Sequence, residues 1–351
     1  MRSTILCGAL TLLAASQAAG QTTQRFTLAG DDIAVYNIVG QVRVEGGPAG
    51  SVVVEVTRGG ADAARLDIQT GPLGDRQTLR VIYPDDDIVY PVMGYGSNTE
   101  LNVRADGTFN DGNQHVVRRG RRVRVRGGGS GTEAYADLRV LVPAGQRIAV
   151  YLGVGRMTAT NVNGDVRLDV SSADVTANGT RGALNVDAGS GDVRVTDAAG
   201  DLFLDTGSGN VVVSRARGDQ LLIDTGSGDV TLDHAEVRSL KIDTGSGNAD
   251  ATAVRAEELL IDTGSGDVTL ELVSGGGSIE IDTGSGQVNL TVPADYGAAV
   301  MLDTGSGEID LGGIPVTVTR LQPDHVEGRI GDGRARLRID TGSGDVRLRK
   351  V

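Results

Sequence analysis

One pentapeptide constrains this chain more than anything else in it. Asp-Thr-Gly-Ser-Gly begins at Asp205, Asp224, Asp243, Asp262, Asp282, Asp303 and Asp340, and weaker copies begin at Asp187, Asp169 and Tyr151. Counted from Tyr151 in chain order, the offsets are 18, 18, 18, 19, 19, 19, 20, 21 and 37 residues. A period near 19 is too short for a pair of helices and fits one turn of a β-solenoid. The expected fold is therefore all-β: a single-stranded, β-helix-like solenoid of about ten coils, with a β-rich region capping its N-terminal end.

The columns of the repeat give each coil its geometry. One residue before the aspartate stand Val150, Leu168, Val186, Leu204, Ile223, Ile242, Ile261, Ile281, Leu302 and Ile339; three before it the column is again wholly apolar, from Ile148 to Leu337. Between them lies a mixture that includes Asn185, Phe203, Lys241, Glu280 and Arg338. That is a period of two, hence a strand with one face turned inward. Past the corner the alternation resumes, with Val230 and Leu232 expected inside and Asp229 and Thr231 outside. Gly-Ser-Gly supplies the backbone freedom of the corner, and the aspartate is expected to cap it. Stacked carboxylates about 4.8 Å apart repel by roughly 0.9 kcal/mol even at the dielectric of water. The column therefore needs amide hydrogen bonds or cations. A row of calcium ligands is the alternative, set against the lack of the nine-residue pattern of calcium-binding β-rolls.

Hydrophobic-Asp-Thr-Gly-Ser also looks like the active-site signature of aspartic proteases. That chemistry needs two carboxylates sharing one proton across a cleft. Seven copies in register place aspartates side by side in a row, so the repetition reads as structure. His115, His234 and His325 lie far apart and read as surface histidines. Neither a nucleophile elbow nor a phosphate loop opening a helix is found. No catalytic, cofactor-binding or metal-ligating residue is assigned, no cofactor is expected, and the chain reads as non-enzymatic. The enzyme alternative is a β-helical carbohydrate-active enzyme on acidic glycans, and a further alternative is a calcium-stabilised structural rod.

Charge and composition bound the partners. The formal net charge is -13, with 33 basic against 46 acidic side chains, which excludes a nucleic-acid partner on electrostatic grounds. Residues 21–150 hold 15 basic and 15 acidic side chains while 151–351 hold 17 and 31, so two regions are implied. Arg2, the apolar Ile5–Ala15 and the small Ala18, Ala19 and Gly20 form a secretory signal over 1–20. Cys7 is the one cysteine; its surroundings do not make a lipoprotein motif, and no disulfide framework is possible. After residue 21 no apolar run approaches the ~18 residues of a membrane span. An exported protein of the periplasm, cell surface or medium is expected.

The region 21–147 is β-rich and irregular. Val35–Val44 aligns in apolar spacing with Ile223–Leu232 and reads as an initial coil. Further strands are expected at Val52–Val56, Arg65–Ile68, Leu79–Tyr83, Val116–Val125 and Leu138–Val142. Residues 84–134 look like an insertion, with Asp85, Asp86, Asp87, an Asp106-Gly107 hairpin signal and a strand presenting Arg122, Arg124 and Arg126 on one face. Charge compensation within an exposed hairpin is one reading of those arginines, and a docking face for an anionic envelope polymer or a protein partner is the other. At the far end, Ile314–Val318 and Gly328–Gly333 form a degenerate coil or an extended hairpin. Arg347, Arg349 and Lys350 are expected to keep the last strand charged against end-to-end stacking.

The signal segment, the Val-Pro-Ala-Gly step at Val142–Gly145 and the Ile-Asp-Thr-Gly-Ser-Gly-Asp-Val repeats at Ile223, Ile242, Ile261, Ile281 and Ile339, with Asn248 and Gln287 replacing the final aspartate in two, resemble the bacterial putative-adhesin family of β-solenoid domains of unknown function, auto-transporter adhesin head-like. The resemblance implies a surface or periplasmic solenoid of 148–351 acting as adhesin or envelope scaffold, whose partner is an envelope polymer, a glycan or a surface protein. It supplies no catalytic residues.

Overall fold

The structure is a computed structural model that describes residues 23–110, 120–274 and 277–351. The signal segment, Cys7 and His115 lie outside the described residues. The fold is all-β: the described residues form 27 strands and two short 3-10 turns at Ala63–Arg65 and Pro91–Met93. Among the described residues no helix is long and apolar enough to cross a membrane.

The repeat builds a parallel β-solenoid. Strands β10 (Gln146–Thr160) and β11 (Gly164–Asn178) pair in parallel over nearly their whole length. β15 (Val211–Thr225) and β16 (Val230–Thr244) do the same, with Asp224 beside Asp243 and Val213 beside Leu232. Each strand bends through a corner while keeping its register, so like residues stack. Leu204, Ile223, Ile242 and Ile261 are buried, as are Val211, Val230, Ala249 and Val268 past the corner. The alternation of the sequence is thus the alternation of core and solvent.

A second corner was not visible in the sequence. Asn161, Asp197, Arg215, His234 and Ala253 all adopt left-handed backbone, with φ between 52° and 58°, and Gly179 takes φ 67° in the same column. Only Gly179 does so without steric cost. Ala198, Ala216 and Ala235 follow directly and turn inward.

The initial coil at 35–44 is present. β2 (Asp32–Gly46) lies parallel to β10 with Val35 beside Val150 and Val44 beside Ala159. Beyond β2 the order becomes irregular. β5 (Arg76–Ile82) pairs with its first half and β9 (Tyr135–Val142) with its second. β3 (Val52–Gly59) then runs antiparallel to β9, β1 (Thr23–Leu28) antiparallel to β3, and β4 (Asp67–Leu73) antiparallel to β5. The strand expected at Arg65–Ile68 is displaced, because Ala63–Arg65 turns and pairing starts at Asp67. A separate sheet holds β6 (Asp87–Val89), β7 (Asn98–Val103) and β8 (Arg121–Arg126). The part of the expected Val116–Val125 strand before 120 lies outside the described residues. Asp106-Gly107 makes a turn, closed by the Arg104 amide donating to the Thr108 carbonyl, within the connection between the antiparallel strands β7 and β8.

At the other end the chain leaves sequence order. β20 (Ser278–Thr283) pairs in parallel with β26 (Ala335–Thr341), and β26 pairs on its other side with β22 (Ala298–Thr304). The rung order is therefore Asp282, Asp340, Asp303. β27 (Val346–Lys350) likewise lies between β21 (Val288–Val292) and β23 (Ile309–Asp310). The outer side of β22 is covered by β25 (His325–Ile330) and then β24 (Val316–Gln322), an antiparallel hairpin. This corrects the reading of Arg347, Arg349 and Lys350 as guards of a terminal edge. Their strand is interior, and they tie neighbouring rungs: Arg347 to Gln287 Oε1 at 2.5 Å, Arg349 to Asp310 at 2.7 Å, and Lys350 to the Ala294 carbonyl at 2.8 Å.

Candidate functional site

The repeated pentapeptide uses its threonine, not its aspartate, to close the corner. Thr206, Thr225, Thr244, Thr263, Thr283, Thr304 and Thr341 are buried. Each hydroxyl accepts from the glycine amide three residues on, as Thr263 does from Gly266 at 3.0 Å. Each also donates to a glycine carbonyl of the neighbouring rung, as Thr263 does to Gly247 at 3.0 Å. One hydroxyl thus satisfies two buried backbone groups that would otherwise be unpaired.

Amide capping by carboxylates occurs in the column past the corner. The Asn210 amide donates to Asp192 Oδ1, the Asp229 amide to Asn210 Oδ1, the Asn248 amide to Asp229 Oδ1 and the Asp267 amide to Asn248 Oδ1. From Asp192 to Asp267 acid and amide alternate along this ladder, which leaves no like-charged neighbours at rung spacing in that stretch. Three of the pentapeptide aspartates find side-chain partners instead: Asp243 with Lys241 at 3.2 Å, Asp340 with Arg338 at 3.6 Å, and Asp303 with His325 Nδ1 at 2.5 Å. His325 is accordingly not a lone surface histidine, and His234 sits in a left-handed corner beside Asp233. Burial, and then the neighbouring aspartates, push Asp205 and Asp282 above the ordinary carboxylate range. No group of three metal-ligating His, Cys, Asp or Glu side chains occurs among the described residues. Side-by-side register places the aspartates along one row rather than facing each other, which leaves protease chemistry without a dyad.

A concavity lies where the small sheet overhangs the solenoid. Three contacts seat the sheet. Tyr36 and Tyr151 stack at 4.5 Å between centroids, and Phe109 meets them edge-on at 6.0 and 6.4 Å. Asn110 Nδ2 donates to Asp169 Oδ1 at 3.0 Å and to Ser171 Oγ at 2.9 Å. Gly153 lacks the Cβ that would come within 2.7 Å of Leu101, so the overhang packs directly on the rung. Asp169 heads the aspartate column and is buried under this contact. Burial pushes its pKa to about 6, even though Asn110 and Arg167 both stabilise the anion.

The cleft left beside this joint has a volume of about 470 Å³. Its floor is the solenoid corner, with Gln41, Arg156 and Asp174 on successive rungs and Ser172 and Ser190 alongside. Its roof is Tyr90, Val92, Met93 and Ser97–Thr99. Arg156 is exposed and makes no hydrogen bond or ion pair among the described residues. Tyr90 is buried, and desolvation, then Asp137, raise its phenol to about 12, so it remains a neutral donor. A second depression of about 460 Å³ shares Ser97 and Asn98 with the first and is lined by Tyr95, Arg124 and Arg126. Tyr95 is 93% exposed. An extended ligand lying over Ser97 and Asn98 would touch both.

The arginines singled out in the sequence do share one face, since Val123 and Val125 between them are buried. Each is paired within its own sheet: Arg122 with Glu100 at 3.4 Å, Arg124 with Glu100 at 2.8 Å and Arg126 with Asp87 at 2.7 Å. Charge compensation is the arrangement observed. Arg156, Tyr95 and Asn98 were missed. A sequence signal did exist for one of them: Gly94-Tyr95-Gly96 places an aromatic on a glycine-flanked loop in a chain holding only 7 Tyr and 3 Phe.

Residues 176–349 match the family model described as Toastrack DUF4097, a domain of unknown function. The match covers the regular rungs, so Gln41, the overhang, Arg156 and Asp174 lie outside it. The crystal structure of a putative cell adhesion protein from Clostridium sporogenes is 11% identical, over 95% of this chain and 100% of that chain, at a TM-score of 0.23. A likeness of that degree carries no argument here. No curated protein matches this chain.

Proposed function

We propose that this chain is an exported, non-enzymatic scaffold of the adhesin type that holds a hydroxyl-rich envelope polymer, a glycan, in the cleft beneath the small sheet. In this reading the solenoid is a head-like rod of about ten coils, closed at its N-terminal end by the β-rich region. The observation that carries the proposal is the cleft's chemistry. Arg156, with no hydrogen bond or ion pair among the described residues, stands among Ser172, Ser190, Asn98 and Thr99, and an almost fully exposed Tyr95 stands at the adjoining rim. Hydroxyl and amide groups at such a floor match the hydroxyls of a sugar, and an exposed aromatic offers a stacking face. A rigid rod with a binding loop near one end is also a common division of labour between scaffold and site.

The test is retention of residues 21–351 on envelope polysaccharide fractions, compared with Tyr95→Ala and Arg156→Gln. Both side chains are exposed, so the fold should hold. A loss of at least about tenfold in affinity, equal to about 1.4 kcal/mol, is expected for each. Retention unchanged in both variants would sink the cleft as the site. Release of shortened product from an acidic glycan would favour the enzyme alternative instead.

A further inference from the structure

The rung formed by β26 and β27 is held by pairing that does not depend on its place in the chain. On one side Ile279, Ile281 and Thr283 lie beside Leu337, Ile339 and Thr341; on the other, Val300, Leu302 and Thr304 lie beside the same three residues. The threonine ties repeat the order. Thr341 donates to the Gly286 carbonyl at 3.0 Å and Thr304 to the Gly344 carbonyl at 2.8 Å. Both faces of the slot carry the Asp-Thr-Gly-Ser-Gly edge found between consecutive rungs elsewhere. The slot thus accepts the sequence Leu337–Leu348 whichever chain supplies it.

The covalent route into the slot is a short strap. After β25 on the outer side of β22, residues 331–334 cross the start of β22 to reach its inner side. Gly331 and Gly333 are left-handed, with φ 53° and 70°. A Cβ at Gly297 would lie 2.9 Å from the Asp332 amide nitrogen and 2.3 Å from its Oδ1, so the strap rests on bare backbone. Arg334 and Asp332 pair with each other at 2.9 Å on the surface. The hairpin before the strap keeps its own pairing with β22, so residues 331–334 are the direct covalent link between that pairing and the slot. Short, tightly bent connections are where identical elements exchange between copies.

We propose that the β26–β27 rung exchanges between two copies of this chain, each filling the slot between residues 278–292 and 298–310 of the other. The partner is a second copy, because only it brings the same inward column and the same threonine. Exchange joins two rods, and with them two copies of the cleft. This inference is independent of what the cleft binds.

Glu280 and Arg338 lie opposite each other across the slot boundary and point outward. Cysteines at neighbouring parallel positions fall within disulfide reach. In a Cys7→Ser chain, Glu280→Cys with Arg338→Cys is refolded from denaturant at rising protein concentration, then oxidised and separated without reductant. The expected result is a disulfide-linked dimer whose yield rises about tenfold for each tenfold in concentration while it is the minor species. The control pair Leu222→Cys with Lys241→Cys, on consecutive rungs, should close within one chain throughout. Intramolecular closure alone at every concentration, for both pairs, would overturn exchange. Should the cysteine chains not refold, two differently tagged wild-type chains refolded together and apart serve the same end. Tags that co-purify only after joint refolding support exchange, and tags that never co-purify refute it.

Discussion

The rungs between Leu184 and Leu272 and the insertion between residues 84 and 134 meet the same requirement in opposite ways. In the rungs, buried polar groups find partners in the neighbouring repeat. The threonine hydroxyl takes a glycine amide and a glycine carbonyl, the acid–amide ladder takes the corner amides, and lysine or arginine takes an aspartate. Little is left facing outward that could single out a ligand. The insertion breaks the period and reaches the rungs through contacts such as those of Phe109, Asn110 and Leu101. Beside those contacts polar groups stay open around a cleft. Repetition consumes hydrogen-bonding capacity, and the place where it fails is where a site is available.

The sharpest way to break this contrast is at the glycine that admits the next rung. A Cβ at Gly266 would lie 1.8 Å from the Gly247 carbonyl oxygen. Gly266→Ala should therefore cost more than about 4 kcal/mol, seen as loss of cooperative urea unfolding. Gly129→Ala in the insertion, with nothing near its Cβ but a φ of +100°, should cost about 1–2 kcal/mol. Equal losses would mean that the stack is no tighter than the loop.

Next in size is the buried hydroxyl. Thr263→Val preserves shape but leaves the Gly266 amide and Gly247 carbonyl without their partner, at an expected cost of about 2–3 kcal/mol. The exposed Ser265→Ala one corner residue away should change unfolding by less than about 0.5 kcal/mol.

The joint between the two regions carries a pH signature. Asp169 titrates near 6 when folded, above the ordinary carboxylate value, so the folded state holds the proton more tightly than the unfolded chain. Its contribution is most favourable below the unfolded value near 4 and is lost as pH rises through about 6. Thermal unfolding should thus show stability falling over that window by on the order of 2 kcal/mol. Asp169→Asn should flatten the fall and be more stable than wild type at pH 7. A variant whose stability tracks wild type across the window would show that the carboxylate is solvated at the joint.

The smallest effect sharpens the contrast. Arg122, Arg124 and Arg126 pair with Glu100 and Asp87 at exposed positions, where such pairs contribute about 0–1 kcal/mol each. Arg122→Ser, at the one of the three that lines neither depression, should change stability by less than about 1 kcal/mol and leave retention on envelope polysaccharide unchanged. A loss of association as large as that of Arg156→Gln would restore the arginine strand as a docking face.

Much of the stack was legible in the sequence because its causes are local. Alternation at Leu221, Ile223, Val230 and Leu232 identified the inward face, and the observed register puts Val35–Val44 on the same columns. The role of the threonine was less accessible. Asp, Thr and Ser are all able to cap a turn, and only the burial of Thr263 between two rungs distinguishes it from Asp262, which is exposed. The second corner was hidden for another reason. Its left-handed residues are Asn161, Gly179, Asp197, Arg215, His234 and Ala253, a column with no shared side-chain type.

The sequence by itself determined a nineteen-residue parallel coil, its core columns and its acidic flank, since strand alternation and glycine corners act over a few residues. Only the tertiary structure decided the order of the rungs and the place of the cleft. Rung edges built from one repeated motif are nearly interchangeable, so no local signal says that residues 335–350 lie between 278–292 and 298–310. The cleft depends on Asn110 meeting Asp169 and on Leu101 seating over Gly153, contacts between residues about fifty or more positions apart whose pairing is set by packing.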